Sequence, residues 1–254
     1  MKKLIVLLLF SITSVYSFSF ETAHYDSLYS LANNQYQNQK YEEALKSYSI
    51  IFESGLESAD LFYNTANCYY KLNQPTQAIL YFEKALKLNP SGKDIKYNLE
   101  LVNKLKVDKI ETLPKPFYKE WWTDLTHSLQ VDTFATLSIV LLFIAVFLLL
   151  LFFRTSSGTL KRLSFFLMLV FIIATGITFL FAQSQYSNTI NNKSAIVFSS
   201  RVNIYSAPNT TSTTLFIVHD GLKVNILKTE NQWNQIMLPD GSIGWIPQEA
   251  LAPI

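Results

Sequence analysis

The segment Pro75-Thr-Gln-Ala-Ile-Leu-Tyr-Phe82 indicates how the N-terminal part of the chain folds, because an earlier segment has the same pattern. That segment is Tyr41-Glu-Glu-Ala-Leu-Lys-Ser-Tyr48, and the matching alanines Ala44 and Ala78 lie 34 residues apart. Small residues at such positions let two helices approach closely, and aromatic residues fill the groove between them. The spacing predicts a stack of helix pairs over residues 21–107.

A period of this length resembles the tetratricopeptide repeat. The second copy, 59–92, carries the signature residues Phe62, Ala66, Tyr69, Ala78, Phe82, Ala85 and Pro90. The first copy, 25–58, is more degenerate, since Ile51 replaces a small residue and Leu56 replaces the closing proline. Residues 93–107 place Ile95, Leu99, Val102 and Leu105 on one helical face, which predicts a capping helix.

The concave face of this stack is the first candidate binding surface. Its candidate residues are Asn33, Asn64, Asn67, Lys71 and Lys96. They resemble part of the carboxylate-binding pattern of some repeat proteins, although the second and third basic positions of that pattern are not matched. The alternative is an ordinary solvated helix face.

Two apolar runs predict membrane helices at residues 134–153 and 163–182, because each is an uncharged stretch of the length that spans a bilayer. The turn between them, residues 154–162, carries Arg154, Lys161 and Arg162 and no acidic residue. The positive-inside rule places such a turn in the cytoplasm. Both flanking domains are then expected on the outer side of the inner membrane, in the periplasm.

The N-terminus predicts export. Met1-Lys-Lys3 precedes a short apolar run, which is typical of a signal peptide over residues 1–17 with cleavage near Ser17–Phe18. An uncleaved N-terminal anchor is the alternative, and both interpretations export the repeat domain.

Residues 108–133 are predicted to be a juxtamembrane linker. Pro114 and Pro116 break the helical pattern, and Phe117-Tyr-Lys-Glu-Trp-Trp122 follows shortly before the first span. Aromatic residues favour the headgroup region, so this segment predicts an interfacial helix. A partner-binding aromatic motif is the alternative.

After a predicted flexible tether at 183–193, residues 194–254 show short alternating runs and two Asp-Gly turns, Asp220-Gly221 and Asp240-Gly241. About sixty residues in about five strands predict a small all-β barrel. The order of Val202-Asn-Ile-Tyr205, Trp233 and Gly244-Trp-Ile246 resembles a bacterial SH3 domain, although Tyr205 replaces an arginine common there. Such domains often bind cell-wall peptides or proteins, which makes Tyr205, Trp233 and Trp245 candidate contacts. Packing in the barrel core is the alternative for each of them.

Composition and motifs argue against several function classes. With 21 basic and 19 acidic side chains, the net charge of +2 does not favour nucleic acid. Cys68 is the single cysteine. No nucleophilic arrangement, zinc motif or phosphate-binding loop occurs in the sequence, so we expect no enzymatic activity, no cofactor and no metal.

The order of these parts resembles the BatE-like proteins of the Bacteroides aerotolerance operon. The carriers of the resemblance include the Asp94-Ile-Lys-Tyr-Asn98 helix and Trp121-Trp122 before the first span. It implies a scaffold that works with membrane proteins bearing von Willebrand factor A domains and with a MoxR-type ATPase. The sequence thus predicts a multi-domain membrane adaptor; the alternative is an envelope-stress sensor that binds peptidoglycan through the barrel.

Overall fold

The computed structural model describes residues 24–114, 116–191 and 193–254, so the predicted signal peptide lies outside the described residues. Two helix pairs form the repeats. Helix α1 (residues 24–37) pairs with α2 (Tyr41–Glu53), and α3 (Ala59–Lys71) pairs with α4 (Pro75–Leu88). Helix α5 (Lys93–Asn103) follows them.

The two repeats are packed by equivalent residues. Ala44 and Ala78 are both fully buried, as are the aromatic residues Tyr48 and Phe82 that lie one helical turn further on. The turns inside the two pairs also match, because Gln39 and its counterpart 34 residues later adopt left-handed φ values of 62° and 57°. The predicted 34-residue period is therefore visible in both core packing and turn geometry.

Helices α6 (Phe117–Thr126), α7 (Val131–Arg154) and α8 (Gly158–Asn191) follow the repeats. The most apolar windows of α7 and α8 are only 11% and 6% buried, unlike the core helices of a soluble protein. Long helices with exposed apolar sides fit association with a membrane. Both are longer than the predicted spans, and α8 includes most of the segment predicted to be a tether.

The C-terminal domain is a seven-stranded antiparallel sheet with the strand order β3-β2-β6-β5-β4-β1-β7. Its strands are β1 (Ser194–Val197), β2 (Arg201–Tyr205), β3 (Thr214–His219), β4 (Lys223–Glu230), β5 (Trp233–Met237), β6 (Ile243–Pro247) and β7 (Leu251–Pro253). The interior contains Ile204, Val218, Val224, Ile236 and Ile246, all at most 1% exposed.

Turn chemistry sets the connections between strands. The predicted Asp-Gly turns have Gly221 and Gly241 at φ values of 81° and 87°, which glycine adopts at little cost. A third tight turn at Asn231-Gln232, between β4 and β5, has φ values of 44° and 67°. Two consecutive positive φ values match the right-handed twist of a hairpin. The sequence did not predict this third turn, because only its asparagine is typical of such positions.

Candidate binding surfaces

The concave face of the repeat domain carries a ladder of asparagine and tyrosine side chains. In its first rung, the Asn64 amide donates to the Tyr29 hydroxyl at 2.8 Å and to Asn33 Oδ1 at 3.0 Å. These residues come from α1 and α3, the first helices of the two pairs. The rung therefore joins neighbouring repeats across the groove.

The second rung has the same chemistry one repeat further along. Here the Asn98 amide donates to the Tyr63 hydroxyl and to Asn67 Oδ1, both at 3.0 Å. Each of the three residues lies 34 positions after its counterpart in the first rung. The capping helix α5 thus supplies the residue that the first helix of a third repeat would supply on this face.

One side chain distinguishes the two rungs. The Tyr48 hydroxyl donates to Asn33 Oδ1 at 2.6 Å, and burial raises the pKa of Tyr48. Phe82 occupies the equivalent position in the second repeat and has no hydroxyl. Asn67 consequently lacks this second donor, which leaves its carbonyl more available to a ligand.

A cavity of about 230 Å³ opens beside the second rung. It is lined by Tyr36, Tyr63, Asn67, Tyr70, Lys71, Asn98, Leu101 and Val102. Amide and hydroxyl groups here can pair with the main chain of an extended peptide, and the lysine can pair with a carboxylate.

The structure places the predicted repeat residues in three settings. Asn33 and Asn64 form the first rung, whereas Asn67 and Lys71 line the cavity. Lys96 is exposed on α5 and is not part of the cavity lining. The tyrosines of the ladder and the role of Asn98 in it were not predicted, although adding 34 to Asn64 would have found Asn98.

The barrel presents an aromatic pair. Tyr205 and Trp233 are partly exposed, and their rings meet edge to face with centroids 5.6 Å apart. Trp245 lies opposite Tyr205 in the ladder of β2 and β6 but is only 9% exposed. Of the three candidate aromatics, Tyr205 and Trp233 are therefore the accessible ones.

The barrel docks on helix α4, which contributes no residue to the lining of the cavity. Side chains alternate along strand β1. Ala195 and Val197 face the barrel interior, whereas Ile196 is fully buried in the hydrophobic cluster of α4 and α5. Lys223 Nζ lies 2.6 Å from Glu83 Oε2, and Lys87 Nζ donates to the main-chain oxygen of Ile254 at 2.7 Å. Because these residues come from both domains, the barrel and the second repeat form one body.

The turn between β3 and β4 completes this contact. The Thr76 hydroxyl donates to the Asp220 carboxylate. A Cβ added at Gly221 would lie 3.2 Å from Ile79 and 3.3 Å from the Lys106 side chain, so glycine allows the close approach. Burial lowers the pKa of Lys106, against the opposing influence of nearby carboxylates.

The chain between α5 and α6 follows the barrel surface. Asp108 accepts a hydrogen bond from the backbone N–H of His219 at 2.6 Å, and the histidine ring nitrogen lies 2.8 Å from the same carboxylate. Ile110 packs against the barrel core, and the Leu113 N–H donates to the carbonyl of Pro239 at 3.1 Å. Residues 108–113, predicted to begin a linker, are thus held against the barrel.

Two known families match parts of the chain. The tetratricopeptide repeat matches residues 59–91, and the bacterial SH3 domain matches residues 199–253. These matches and the geometry confirm the predicted fold class, a helical repeat domain, two long apolar helices and a C-terminal SH3-like barrel. Both families are non-catalytic interaction modules.

No curated protein matches the chain. Among solved structures, the chain is similar to a crystal structure of the MamA protein at 15% identity and a TM-score of 0.30. That alignment covers 66% of this chain and 75% of the other. A likeness at this TM-score has no bearing on function.

Proposed function

We propose that this protein is a membrane-anchored adaptor whose groove holds an extended segment of a partner protein. The observation that carries the proposal is the asparagine ladder with its cavity, whose lining does not include the α4 residues Thr76, Glu83 and Lys87 that contact the barrel. A second ligand, a protein or a wall peptide, would contact the barrel at Tyr205 and Trp233.

The chemistry of the ladder suits a peptide main chain. An asparagine side chain offers one carbonyl acceptor and an amide donor, as a peptide unit does. Asn67 is positioned to accept from a bound segment, and Lys71 lies beside it to pair with a carboxylate of that segment. Asn33 and Asn64 would then hold the two repeats together, and Lys96 would be a charge near the cavity. None of the three would contact the bound segment directly.

The proposed topology places both soluble domains in the periplasm, anchored in the bacterial inner membrane. The repeat domain precedes α7 and the barrel follows α8, yet Glu83 and Lys223 form an ion pair. Such a contact requires the chain to cross the membrane an even number of times. The basic residues near the turn at 155–157 support a cytoplasmic position for that turn.

The proposed partners are membrane proteins with von Willebrand factor A domains, acting with a MoxR-type ATPase. The support is the order of repeats, aromatic segment, two apolar helices and barrel, which resembles the Bacteroides aerotolerance scaffold. Holding two ligands on one body raises the effective concentration of one near the other. This body would be the scaffold of such an envelope complex.

A second candidate function is a sensor that binds peptidoglycan through the barrel. The partly exposed pair of Tyr205 and Trp233 favours it, since such rings offer flat contact area at an interface. The short turn between α7 and α8 disfavours it, because little cytoplasmic surface is available to pass on a signal.

The test is a pull-down of the full-length protein from native membranes in mild detergent, with mass spectrometry. We expect Lys71→Glu to lower recovery of the protein partner about tenfold, which corresponds to about 1.4 kcal/mol. Lys104→Glu is the matched control, because Lys104 is an exposed lysine outside the cavity.

The barrel variant Trp233→Ala separates the two functions. Loss of a partner with Lys71→Glu, but not with the control, supports the adaptor. Recovery of wall fragments that depends on Trp233, with no protein partner lost in Lys71→Glu, would overturn it in favour of the sensor.

A further inference from the structure

Helix α6 divides cleanly into an apolar half and a polar half. At about 100° per residue, its apolar side chains cover one continuous arc of the helical wheel. They are Phe117, Tyr118, Trp121, Trp122 and Leu125. The charged residues Lys119, Glu120 and Asp124 lie on the other arc. A helix with this pattern needs an apolar surface beside it.

One edge of the apolar arc is locked onto helix α8. The Trp122 ring meets Phe181 edge to face at 5.4 Å, and its indole N–H donates to the Ser184 hydroxyl at 3.2 Å. Thr126, one turn further along, is 1% exposed. These contacts fix the level of α6 along α8.

The other edge of the arc has no cover in the described part of the chain. Phe117 is 83% exposed and Trp121 is 63% exposed, and both lie one turn apart on the same side of α6. Large exposed aromatics next to an apolar helical hairpin are unlike ordinary solvent-facing residues.

The distance along α8 from Lys161 to the level of α6 is similar to the thickness of a bilayer. Lys161 and Ser184 lie 23 residues apart on α8. At a rise of about 1.5 Å per residue this places them about 35 Å apart. The hydrocarbon core is about 30 Å thick and the whole bilayer about 40–45 Å. With Lys161 at one headgroup layer, Trp122 bound at Ser184 lies in the opposite one.

We infer that α6 lies in the outer headgroup layer and inserts Phe117 and Trp121 into the lipid, so that the bilayer itself covers the open edge of the helix. This inference rests on the proposed anchoring of α7 and α8 in a membrane. Tryptophan favours this layer because its ring is apolar and its indole N–H is polar, and Phe117 contributes a purely apolar ring that lipid can cover.

The arrangement sets the position of the soluble body. Residues 185–191 of α8 extend beyond the Trp122 contact, by about 10 Å at the usual helical rise. The α8 helix therefore holds the start of β1 above the lipid, while α6 prevents the hairpin from sliding through the bilayer. The groove would face partners at a fixed height above the membrane surface.

The test is spin labelling of the full-length protein in nanodiscs of phosphatidylcholine and phosphatidylglycerol. Nitroxide labels are attached at Phe117→Cys and Trp121→Cys, and collisions with oxygen and with a water-soluble nickel chelate are compared. Glu120→Cys is the matched control, an exposed site on the polar arc of the same helix. Cys68 stays unlabelled, because it is fully buried and burial raises the pKa of its thiol to about 12.

We expect labels at the two aromatic sites to collide several-fold more with oxygen, which concentrates in lipid, than with nickel. The control should show the reverse. Equal, water-like behaviour at all three α6 sites would overturn the inference.

A fourth label at Ile173→Cys, 55% exposed in the middle of α8, separates the placement of α6 from the anchoring of the hairpin. Lipid-like collisions there with water-like collisions on α6 would refute the α6 inference alone. Water-like collisions at Ile173 would refute the membrane anchoring as well. Adding Trp122→Ala to the Phe117→Cys variant is expected to release α6 from Phe181. Collisions of the label at position 117 with oxygen should then decrease relative to those with nickel.

Discussion

The two faces of the repeat domain differ in how they use the 34-residue period. On the concave face the period is kept residue by residue, since Tyr29, Asn33 and Asn64 are followed by Tyr63, Asn67 and Asn98. On the back face, where α4 contacts the barrel, it is broken. The charged residues of α4 that contact the barrel correspond in α2 to residues of different charge.

Two positions show the break in the period on the back face. Glu83 and Lys87 of α4 correspond to Ser49 and Glu53 of α2, whereas Ile79 corresponds to Leu45, an uncharged residue of the same size. A serine cannot form the ion pair with Lys223, and a glutamate cannot donate to the Ile254 carbonyl as lysine does. The ladder residues are thus identical on the concave face, which joins successive repeats. The charged residues differ on the back face, where only the second repeat contacts the barrel.

The two faces also differ in energy. Burying one large aliphatic side chain such as Ile196 stabilises by about 1.5–3 kcal/mol. A hydrogen bond of the ladder contributes about 0.5–1.5 kcal/mol net. The back face therefore holds the barrel mainly through buried apolar contacts, whereas the weaker hydrogen bonds of the concave face can be exchanged for those of a ligand.

The largest effect is expected from Ile196→Asp, which breaks the back face. Loss of the buried side chain alone costs about 2–5 kcal/mol, and the buried carboxylate adds to it. Hydrogen exchange should show lost protection in α4 and β7 while β5 stays protected. Ile217→Asp is the control, since Ile217 is 38% exposed on β3. Equal losses in both variants would contradict the docking contact.

On the concave face, Asn33→Ala is expected to destabilise more than Asn67→Ala. Removing Asn33 leaves the hydroxyl of fully buried Tyr48 without its acceptor, which costs about 1–3 kcal/mol. Phe82 has no hydroxyl, so removing Asn67 leaves no such group without its acceptor. Thermal unfolding followed by circular dichroism measures the difference, and equal midpoints for the two variants would show that the rungs are equivalent.

A smaller effect is expected from Phe82→Tyr, which makes the second rung resemble the first. The new hydroxyl should donate to Asn67 and contribute about 0.5–1.5 kcal/mol. A double-mutant cycle with Asn67→Ala isolates this term. Absence of coupling between the two positions would mean that the hydroxyl does not reach the amide.

The smallest effect is expected from Lys106→Met at the joint between the domains. Burial lowers the pKa of Lys106, so its charged form opposes docking at neutral pH. The substitution should stabilise by less than about 1 kcal/mol, because solvent screens a partly exposed charge.

The pH dependence of this effect has a definite sign. Below the lowered pKa, Lys106 is charged in both folded and unfolded states, and the penalty is fully present. Wild-type stability rises as the pH increases through that value towards about 10.4, the ordinary pKa of lysine. The melting advantage of Lys106→Met over wild type should therefore shrink as the pH rises through the lowered pKa of Lys106 towards about 10.4. Lys104→Met, at an exposed site, should show no such trend.

Part of the candidate site was predictable and part was not. The position of four residues on the concave face could be predicted, because the repeat period alone assigns residues to helix faces. These residues are Asn33, Asn64, Asn67 and Lys71. The tether at 183–193 was predicted from its polar composition, but α8 continues to Asn191. A helix already nucleated by a long span extends at little cost, and Gln185, only 1% exposed, donates to the carbonyl of Leu129 at 3.3 Å.

Local sequence patterns were sufficient to predict the kind of each part: helix pairs from a 34-residue period, apolar helices from the length of uncharged runs, and a barrel from alternation and Asp-Gly turns. These are local patterns, which depend on residues a few positions apart. Three contacts are visible in the folded protein alone: the barrel docks on α4, residues 108–113 follow the barrel, and Trp122 binds α6 to α8. Those contacts join residues 62 to 167 positions apart, and their formation depends on surface shape and buried area that no local pattern contains.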